Sequence, residues 1–311
     1  MYHLFVTNFF MHWKINIMKK ILVILTCFSF FLQLKAQEND SSVIFNAGFI
    51  KHELQNYEMS LSNFTINNGD TTTLETLKAK VDVYITDSTE SFYLIRWKIK
   101  DFTINTNSRQ LSEIISLAKP VTLTFRVTKH GIIEEFISWE ETSKCLDEGL
   151  KVVLKRFSTR SDSVALLEVK RIFAFRGTFE AMFPRTINMF HQIYGLGYNV
   201  NEEVDVPVEV YGLVSTPVRG LTRKKLTGID KNNGFAMLSM ATFPDRSDLK
   251  ENFLKQNPGL TIPSSLLNQT ILGGVMVDLK TSWIIYTFEQ RERTLEQLVF
   301  GELLEMKHID N

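Results

Sequence analysis

Cysteine is scarce in this chain, which has two such residues among 311, Cys27 and Cys145. Cys27 lies in an N-terminal segment with the pattern of a cleaved signal peptide, so an exported mature chain would keep only Cys145. A single cysteine excludes an internal disulfide. The 275 residues from 37 to 311 must therefore be stabilised by a hydrophobic core, and a chain of that length is long enough to bury one.

An excess of charge of one sign is also missing. The whole chain has 35 basic and 35 acidic residues, and removal of residues 1–36 leaves a net charge of about −4. Proteins that bind nucleic acid or an anionic membrane surface usually carry a clear basic excess. The composition thus predicts neither partner. No apolar run in 37–311 reaches the ~20 residues that cross a bilayer as a helix, so no transmembrane segment is expected in the mature chain.

Motifs for metal or cofactor chemistry are lacking. The mature chain has four histidines, none within four residues of another: His52, His130, His191 and His308. Zinc sites usually contain at least one pair of ligands at short spacing. The segment Asp230-x-Asn232-x-Gly234 starts like a calcium loop but lacks the later acidic ligand, so a hairpin turn explains it better. We predict no metal and no cofactor.

The nearest approach to a catalytic motif is Ser247-x-x-Lys250, with Lys280-Thr281-Ser282 further along the chain. Penicillin-binding proteins use a similar pair of motifs, but with far more chain between the two parts. A pattern with only two fixed positions occurs by chance in a chain of this length. We predict no catalytic residue, so the chain is expected not to be an enzyme.

The N-terminus, in contrast, has the three parts of a secretory signal peptide. Lys19 and Lys20 precede an apolar run of about a dozen residues, and the small residue Ala36 follows. We therefore expect a signal peptide at 18–36, cleaved after Ala36, and an extension at 1–17 that comes from an upstream start codon. The alternative is an uncleaved anchor, which the short apolar run disfavours. The first interpretation predicts export to the periplasm or secretion.

Strong period-two alternation is present as well, and it is clearest from Leu77 to Ile104. Apolar residues occupy every second position of 77–85, and a polar turn at 87–90 leads into a second alternating run. This pattern predicts a hairpin of two long strands with one buried face. The alternation changes phase near Asp101, which indicates a β-bulge or a strand end.

Alternation of this kind occurs on both sides of a segment with helical periodicity. The order is an N-terminal antiparallel β region (37–138), a helical block (139–195) and a C-terminal β region (196–311), which we expect to form one domain. The predicted fold class is α+β, with the helical block packed on a large twisted antiparallel sheet. A partly closed barrel and two half-barrels are both compatible with this order. Pro207, within the alternating run Val204–Val210, places that strand at a sheet edge.

Phenylalanine is frequent in the helical block. Six of its rings are Phe157, Phe173, Phe175, Phe179, Phe183 and Phe190. They are interpreted either as ordinary core packing or as the lining of an apolar groove between helices and sheet, which would suit a lipid or another hydrophobic small molecule. The second interpretation makes these six residues the candidate ligand-binding site.

The signal peptide ends in Leu-Lys-Ala-Gln at 34–37, long alternating strands follow, and a hairpin with the sequence Asp-x-Lys-Thr-x-Trp lies at 278–283. In these features the chain resembles secreted β-rich proteins of the Bacteroidetes that contain domains of unknown function. The resemblance implies export across the inner membrane of a Gram-negative cell and no particular chemistry. Three Asp-Ser or Asp-Thr pairs also resemble O-glycosylation acceptor sites of such proteins, with the hydroxyls of Thr71, Ser88 and Ser163.

These features favour an exported, non-enzymatic envelope protein that binds a hydrophobic, lipid-like ligand or the surface of an envelope protein. Carriers of lipids combine a curved sheet with covering helices in a similar way, although fold alone does not determine function. The alternative is a structural or interaction module of the envelope without a small ligand, bound through an exposed edge such as Val204–Val210. A hydrolase would need a Ser or Asp beside one of the histidines in a cleft.

Overall fold

The computed structural model of the chain describes residues 42–67, 69–108, 112, 115–116, 119–138, 140–141, 144, 148, 183–214, 216–295 and 298–309. The expected extension at 1–17, the expected signal peptide at 18–36 and most of the expected helical block lie outside these residues. The strands within them are, in chain order, β1 (Ser42–Phe45), β2 (Leu54–Asn67), β3 (Asp70–Ser88), β4 (Phe92–Thr106), β5 (Val121–Thr128), β6 (Ile133–Phe136), β7 (Leu196–Asn199), β8 (Glu203–Val210), β9 (Val218–Asp230), β10 (Phe235–Pro244), β11 (Gln269–Asp278), β12 (Ile284–Leu295) and β13 (Leu298–His308).

Most of these strands form one antiparallel sheet of 11 strands, in the order β6-β5-β4-β3-β2-β13-β12-β11-β10-β9-β8, while β1 pairs with β7. Strand β2 pairs with β13, from Asn67 opposite Leu298 to Tyr57 opposite His308. This pair joins the N-terminal and C-terminal β regions in a single sheet. The predicted α+β fold class with a large antiparallel sheet is confirmed. Strands β6 and β8 lie at the two edges and do not pair with each other, so the described strands form an open sheet.

The hairpin of β3 and β4 follows the predicted alternation. Every second residue of β3 from Leu77 to Ile85 is buried, and so are Ile95 and Trp97 on β4. The register of the pairing shifts opposite Asp101, which has a φ of 56°. A β-bulge at this point accounts for the phase change in the sequence.

Helix α1, whose described part is 183–191, packs across the sheet. Its residue Phe190 contacts Tyr57 of β2 and Trp97 of β4, with ring centroids 5.5 and 5.4 Å apart. All three rings are fully buried, and burial of large aromatic side chains is a main source of stability. We call the sheet face that contacts α1 the inner face. It carries the main hydrophobic core.

The chain leaves α1 through a turn at 192–195 that contacts the β5–β6 hairpin. Gly131, in the hairpin turn, has a φ of 80°, and a Cβ atom at this position would lie 2.4 Å from Cβ of Tyr194. The close approach thus requires glycine. Gly195, also in the left-handed region with a φ of 75°, is the last residue of this turn before β7. The contact brings the edge strand β6 next to the end of α1.

Two further helices, α2 (Arg246–Gln256) and α3 (Ser264–Leu267), contribute to a second, smaller apolar cluster. The carboxylate of Asp245 caps α2 by accepting hydrogen bonds from two backbone N–H groups of its first turn. Leu249 of α2 and Leu266 of α3 are buried against Val210 at the end of β8. None of the helices in the described residues is long and apolar enough to cross a membrane.

The sequence predicts a loop with a helical turn from 258 to 274. The helical turn is present as α3, but the expectation of a loop is wrong from Gln269 onward. Strand β11 begins at Gln269, directly after α3. The apolar–polar alternation of β11 is not apparent in the sequence, because Gly273 and Gly274 have no side chains that distinguish the two faces of the strand.

Candidate ligand-binding cleft

A cleft of about 550 Å³ lies between the two edges of the sheet. Residues of β6 line one side of it, residues of β8 line another, and α1 contributes a third group of lining residues. The open sheet therefore leaves a cavity between its edge strands and α1. Binding pockets for small molecules usually have volumes of about 300–1,000 Å³, so the cleft is large enough for one.

The walls of the cleft are apolar because strand alternation directs one face of β8 inward. Val206 and Val208 are half-buried on this face, and Val210 is buried. Asp205, next to Val206 in the sequence, points to the outer face and pairs with Arg223. Further apolar lining residues are Ile133 and Phe136 of β6 and Met189 of α1.

The floor of the cleft is ionic. Arg185 of α1 donates from Nε to Oε1 of Glu289 (2.7 Å) and from Nη1 to Oε2 of Glu302 (2.8 Å). Arg291 donates from Nε to the same oxygen of Glu289 (2.6 Å) and from Nη1 to the backbone oxygen of Tyr211 (2.5 Å). Arg185 is 7% exposed and Arg291 is 3% exposed. We call Arg185, Arg291, Glu289 and Glu302 the ionic cluster.

Mutual attraction keeps the carboxylates of the ionic cluster charged. Burial by itself raises the pKa of Glu289, but the charges of Arg291 and Arg185 outweigh burial and hold this pKa below its usual value. The same opposition, with Arg185 as the main cation, lowers the pKa of Glu302. Burial lowers the pKa of Arg291, against the attraction of Glu289. With two cations and two anions, the cluster is neutral as a whole.

Strand pairing positions the ionic cluster. Arg291 of β12 is directly opposite Glu302 of β13, and Glu289 lies two residues before Arg291 on the same face. Arg185 reaches these side chains from α1. Its Nη2 atom is buried and has no hydrogen-bond partner among the described residues. Arg185 also lines the cleft.

Lys224 of β9 is another buried cation of the cleft, with 1% of its surface exposed. Its Nζ donates a hydrogen bond to the backbone oxygen of Gln192, just beyond the end of α1. No carboxylate in the part of the chain that the structure describes attracts this ammonium group. Burial lowers the pKa of Lys224 to about 8, so the ammonium form still predominates at neutral pH.

His191 lines the cleft from α1 and is buried. Its Nδ1–H donates to the backbone oxygen of Gly131 (3.2 Å), since a carbonyl oxygen only accepts. The imidazole centroid is 5.5 Å from the ring of Phe125 and 5.2 Å from that of Phe190. Burial lowers the pKa of His191 to about 3, so this side chain is neutral at physiological pH.

The six phenylalanines expected to line a groove are only partly within the described residues. Phe183 and Phe190 are buried in the main core. The lining residues that α1 and its following turn contribute to the cleft are Arg185, Asn188, Met189, His191, Gln192, Tyr194 and Gly195. Phe157, Phe173, Phe175 and Phe179 lie outside the described residues. The aromatic groove stays a prediction.

Sequence reasoning missed the ionic cluster and Lys224, although a signal for both exists. On β12, Glu289 and Arg291 continue the series of alternate positions that begins with the buried Thr287. On β9, Lys224 lies midway between the buried residues Thr222 and Leu226. Because charged residues normally face solvent, such positions are easily assigned to the outer face.

The other motifs have structural roles. Ser247 lies in the first turn of α2, and its hydroxyl donates to Asp245 (2.8 Å), so the Ser-x-x-Lys pattern marks a helix start. Asp230 accepts hydrogen bonds from the backbone N–H groups of Asn232 and Asn233, which forms the hairpin turn. Within the described residues, no group of three or more His, Cys, Asp or Glu side chains is placed to hold a metal ion.

Comparisons with known proteins identify no family. No protein-family model matches this chain, and no match is found among curated proteins. The solved structure "Lipid-protein interactions in lipovitellin" is similar over 84% of this chain and 25% of its own, at 10% identity and a TM-score of 0.44, so this chain spans about a quarter of it. DynF, from the dynemicin biosynthesis pathway of Micromonospora chersina, is similar over 88% of this chain and 87% of its own, at 6% identity and a TM-score of 0.20. These values are too low for a conclusion about function.

Proposed function

We propose that this protein is an exported, non-enzymatic envelope protein that binds a hydrophobic, lipid-like ligand in the cleft. The observation that supports this proposal is the inward valine row of β8 (Val206, Val208 and Val210), which lines an open cavity together with apolar residues of β6 and α1. Protein interiors are otherwise close-packed, because apolar groups that border a gap lose contact energy. An apolar ligand restores those contacts.

Apolar contacts in the cleft would supply most of the free energy of a micromolar affinity. Each methylene group that moves from water to an apolar site contributes about 0.8 kcal/mol. Eight methylenes against the walls would contribute roughly 6 kcal/mol, before the cost of ordering the ligand. Micromolar affinity requires about 8 kcal/mol. Polar contacts at the floor of the cleft would supply the remainder.

The surroundings of His191 favour binding over hydrolysis. A hydrolase would require a nucleophile beside a general base. His191, the histidine that lines the cleft, contacts a backbone carbonyl and aromatic rings. Its pKa of about 3 also makes the imidazole a weak base. The proposed role is therefore binding without turnover.

The proposal is tested by filling the cleft. Val208→Trp places a large ring on the inner face of β8, whereas Asp205→Trp adds the same ring to the outer face of the same strand. Uptake of a hydrophobic fluorescent probe is measured by titration at neutral pH for the full chain and both variants. We expect the wild type and Asp205→Trp to bind the probe, and Val208→Trp to lose most of the binding.

Thermal unfolding of both variants is the necessary control, because only a folded Val208→Trp protein reports on the cleft. A wild-type chain that takes up no probe would remove the proposal. Equal uptake by all three proteins would also remove it, since the probe would then bind elsewhere.

Export is a separate part of the proposal, and the charge and hydropathy pattern of 18–36 supports it. The full chain is expressed in a Gram-negative host, and the mass of the recovered protein is measured. Cleavage after Ala36 would give a chain that begins at Gln37. Recovery of the uncleaved chain from the cytoplasm would contradict this part of the proposal.

A second candidate function is an interaction module without a small ligand. The position of β8 at a sheet edge favours it, since an edge strand can pair with a strand of a partner protein. Pro207 interrupts the row of N–H donors on this strand, which limits such pairing. The two candidates differ in the probe titration, because an interaction module takes up no probe in the cleft.

A further inference from the structure

We infer that the ligand of the cleft is a singly charged anionic amphiphile of the fatty-acid type, whose carboxylate is recognised by Lys224 while its chain lies along the valine row of β8. This inference rests on the proposed function, because it names the ligand class for the same cleft. The supporting observations are the balance of charge, the free N–H groups and the strand register around the cleft.

The buried charges of the cleft are unbalanced by one unit. The ionic cluster pairs its arginines with its glutamates and is neutral as a whole. Lys224 has no carboxylate partner in the described residues. Glu134 and Glu209 also border the cleft, but both are exposed to solvent, and Glu209 accepts a hydrogen bond from Tyr211. The interior therefore has one excess positive charge, on Lys224.

The one excess positive charge predicts a ligand head group with one negative charge. A buried cation without an anion is unfavourable, because it has lost its water and gained no partner. A ligand carboxylate supplies the missing negative charge and accepts a charge-assisted hydrogen bond. A phosphate head group with two negative charges would leave a buried excess of the opposite sign. The charge balance thus favours a singly charged head group, such as a carboxylate.

N–H groups for such a head group remain free at two places. The ammonium group of Lys224 has three N–H bonds, of which one is used by the backbone oxygen of Gln192. The Nη2 atom of Arg185 is buried and has no partner in the described part of the chain. Both side chains line the cleft. An acceptor-rich head group fits these donors better than an ammonium or an alkyl group does.

The register of β8 and β9 determines which apolar residues lie beside Lys224. Val204 is directly opposite Lys224, and Val206 and Val208 follow on the same face of β8. Residues two positions apart on a strand are separated by about 7 Å. A ligand whose carboxylate is at Lys224 can therefore extend its chain along these valines toward Val210.

Lys224 also has a structural role, because a cation near the C-terminal end of a helix interacts favourably with the last carbonyl groups. A purely structural lysine would affect the stability of the fold. It would not affect the choice between a charged and an uncharged ligand of equal length. Selectivity between two such ligands therefore distinguishes the two roles.

The experiment compares dodecanoic acid with dodecan-1-ol, which share a chain length and differ in charge. Displacement of the fluorescent probe from the full chain is measured for each. We expect the acid to bind about tenfold more tightly, as one charge-assisted hydrogen bond implies. In Lys224→Met the acid should lose about tenfold in affinity, while the alcohol keeps its affinity. Lys225→Met, on the outer face of the same strand, should behave as the wild type.

The outcomes separate this inference from the proposed function. Equal displacement by acid and alcohol in the wild type would overturn the inference and leave the proposed function intact. Displacement by neither would overturn the proposed function. A preference for the acid that survives in Lys224→Met would overturn the inference as well. If Lys224→Met does not fold, Lys224→Gln, which keeps a hydrogen-bond donor, allows the same comparison.

Discussion

The inner face of the sheet has two regions that differ in how their space is filled. In the closed region, formed by β2 to β5, Tyr57 and Trp97 contact Phe190 of α1, and all three rings are fully buried. In the cleft region, formed by β8, β9 and β12, the same alternation brings valines, Lys224 and the ionic cluster to the inner face beside an open cavity. The same strand alternation thus occurs in a packed core and beside a cavity. The two regions differ in the residue types at their inward-facing positions.

The two regions also contribute differently to stability. Burial of each large apolar side chain in the closed region stabilises the fold by about 1.5–3 kcal/mol. In the cleft region each buried charge first loses its water, and ion pairing offsets this cost without a comparable gain. Sites at which such costs are retained are frequently functional. The proposed ligand-binding function belongs to the less favourable of the two regions.

The largest effect is expected in the closed region. Phe190→Ala removes a fully buried ring and should lower the free energy of unfolding by about 4 kcal/mol. Phe243→Ala, at an exposed ring, should lower it by less than about 1 kcal/mol. Chemical denaturation measures both changes. Equal losses at the two positions would show that the closed region is not packed as described.

In the cleft region the largest effect is expected from Arg185→Met. This change removes the arginine that hydrogen-bonds to both Glu289 and Glu302, and loss of one member of a buried ion network costs about 3 kcal/mol. Arg293→Met is the matched control, because Arg293 is partly exposed and contacts Glu302 at 3.6 Å. Its loss should cost less than about 1 kcal/mol. Identical urea unfolding curves for the two variants would contradict the account of the ionic cluster.

Mild acid should destabilise the contact between α1 and β5 through His191. The pKa of His191 is about 3 in the folded chain, below its usual value of 6.5. Between these values the unfolded chain binds a proton that the folded chain does not, so stability is lost as the pH falls from 6.5. The loss from pH 7 to pH 5 is about 2 kcal/mol. Unfolding curves at both pH values measure it.

The matched variant for this titration is His191→Phe, which should lose most of the pH dependence between 7 and 5. Coincident wild-type curves at the two pH values would mean that His191 takes up its proton in the folded state.

The smallest expected effect is a gain in stability, and it is expected for a substitution in the cleft region. Lys224→Met replaces an unpaired buried charge by an apolar side chain of similar length, so the ligand-free protein should gain about 1 kcal/mol. The melting temperature should then rise by about 2–4 °C, with Lys225→Met unchanged. Calorimetry measures both. A lower melting temperature would show that the hydrogen bond to Gln192 outweighs the cost of burial.

The hairpin of β3 and β4, the bulge at Asp101 and the edge strand with Pro207 could all be predicted from the sequence, because each depends on a pattern within a short stretch. The pairing of β2 with β13 is different. It places Tyr57 opposite His308, and no local pattern encodes a contact between such distant residues. The fold class was therefore predictable, whereas the order of the strands was not.

The cleft was hidden from sequence reasoning for a similar reason. Arg185 and Glu302 meet across 117 positions of the chain. Helical periodicity indicates which residues of α1 share a face, but it does not indicate which strands cover that face. The alternation of β9 places Lys224 on the buried face of that strand, yet a lysine side chain is ordinarily expected to face solvent. The buried charges that distinguish the cleft become visible only when the strands are paired.

The central claim is that the cleft beside β8, and not the closed region, holds the chain of the ligand. NMR of the valine methyl groups with a spin-labelled fatty acid tests this claim most directly, because the label broadens signals of nearby nuclei. We predict that the signals of Val206, Val208 and Val210 broaden while those of Val81 and Val83 stay sharp. Broadening that is stronger at Val81 and Val83 than at the β8 valines, or absent from all five, would contradict the claim.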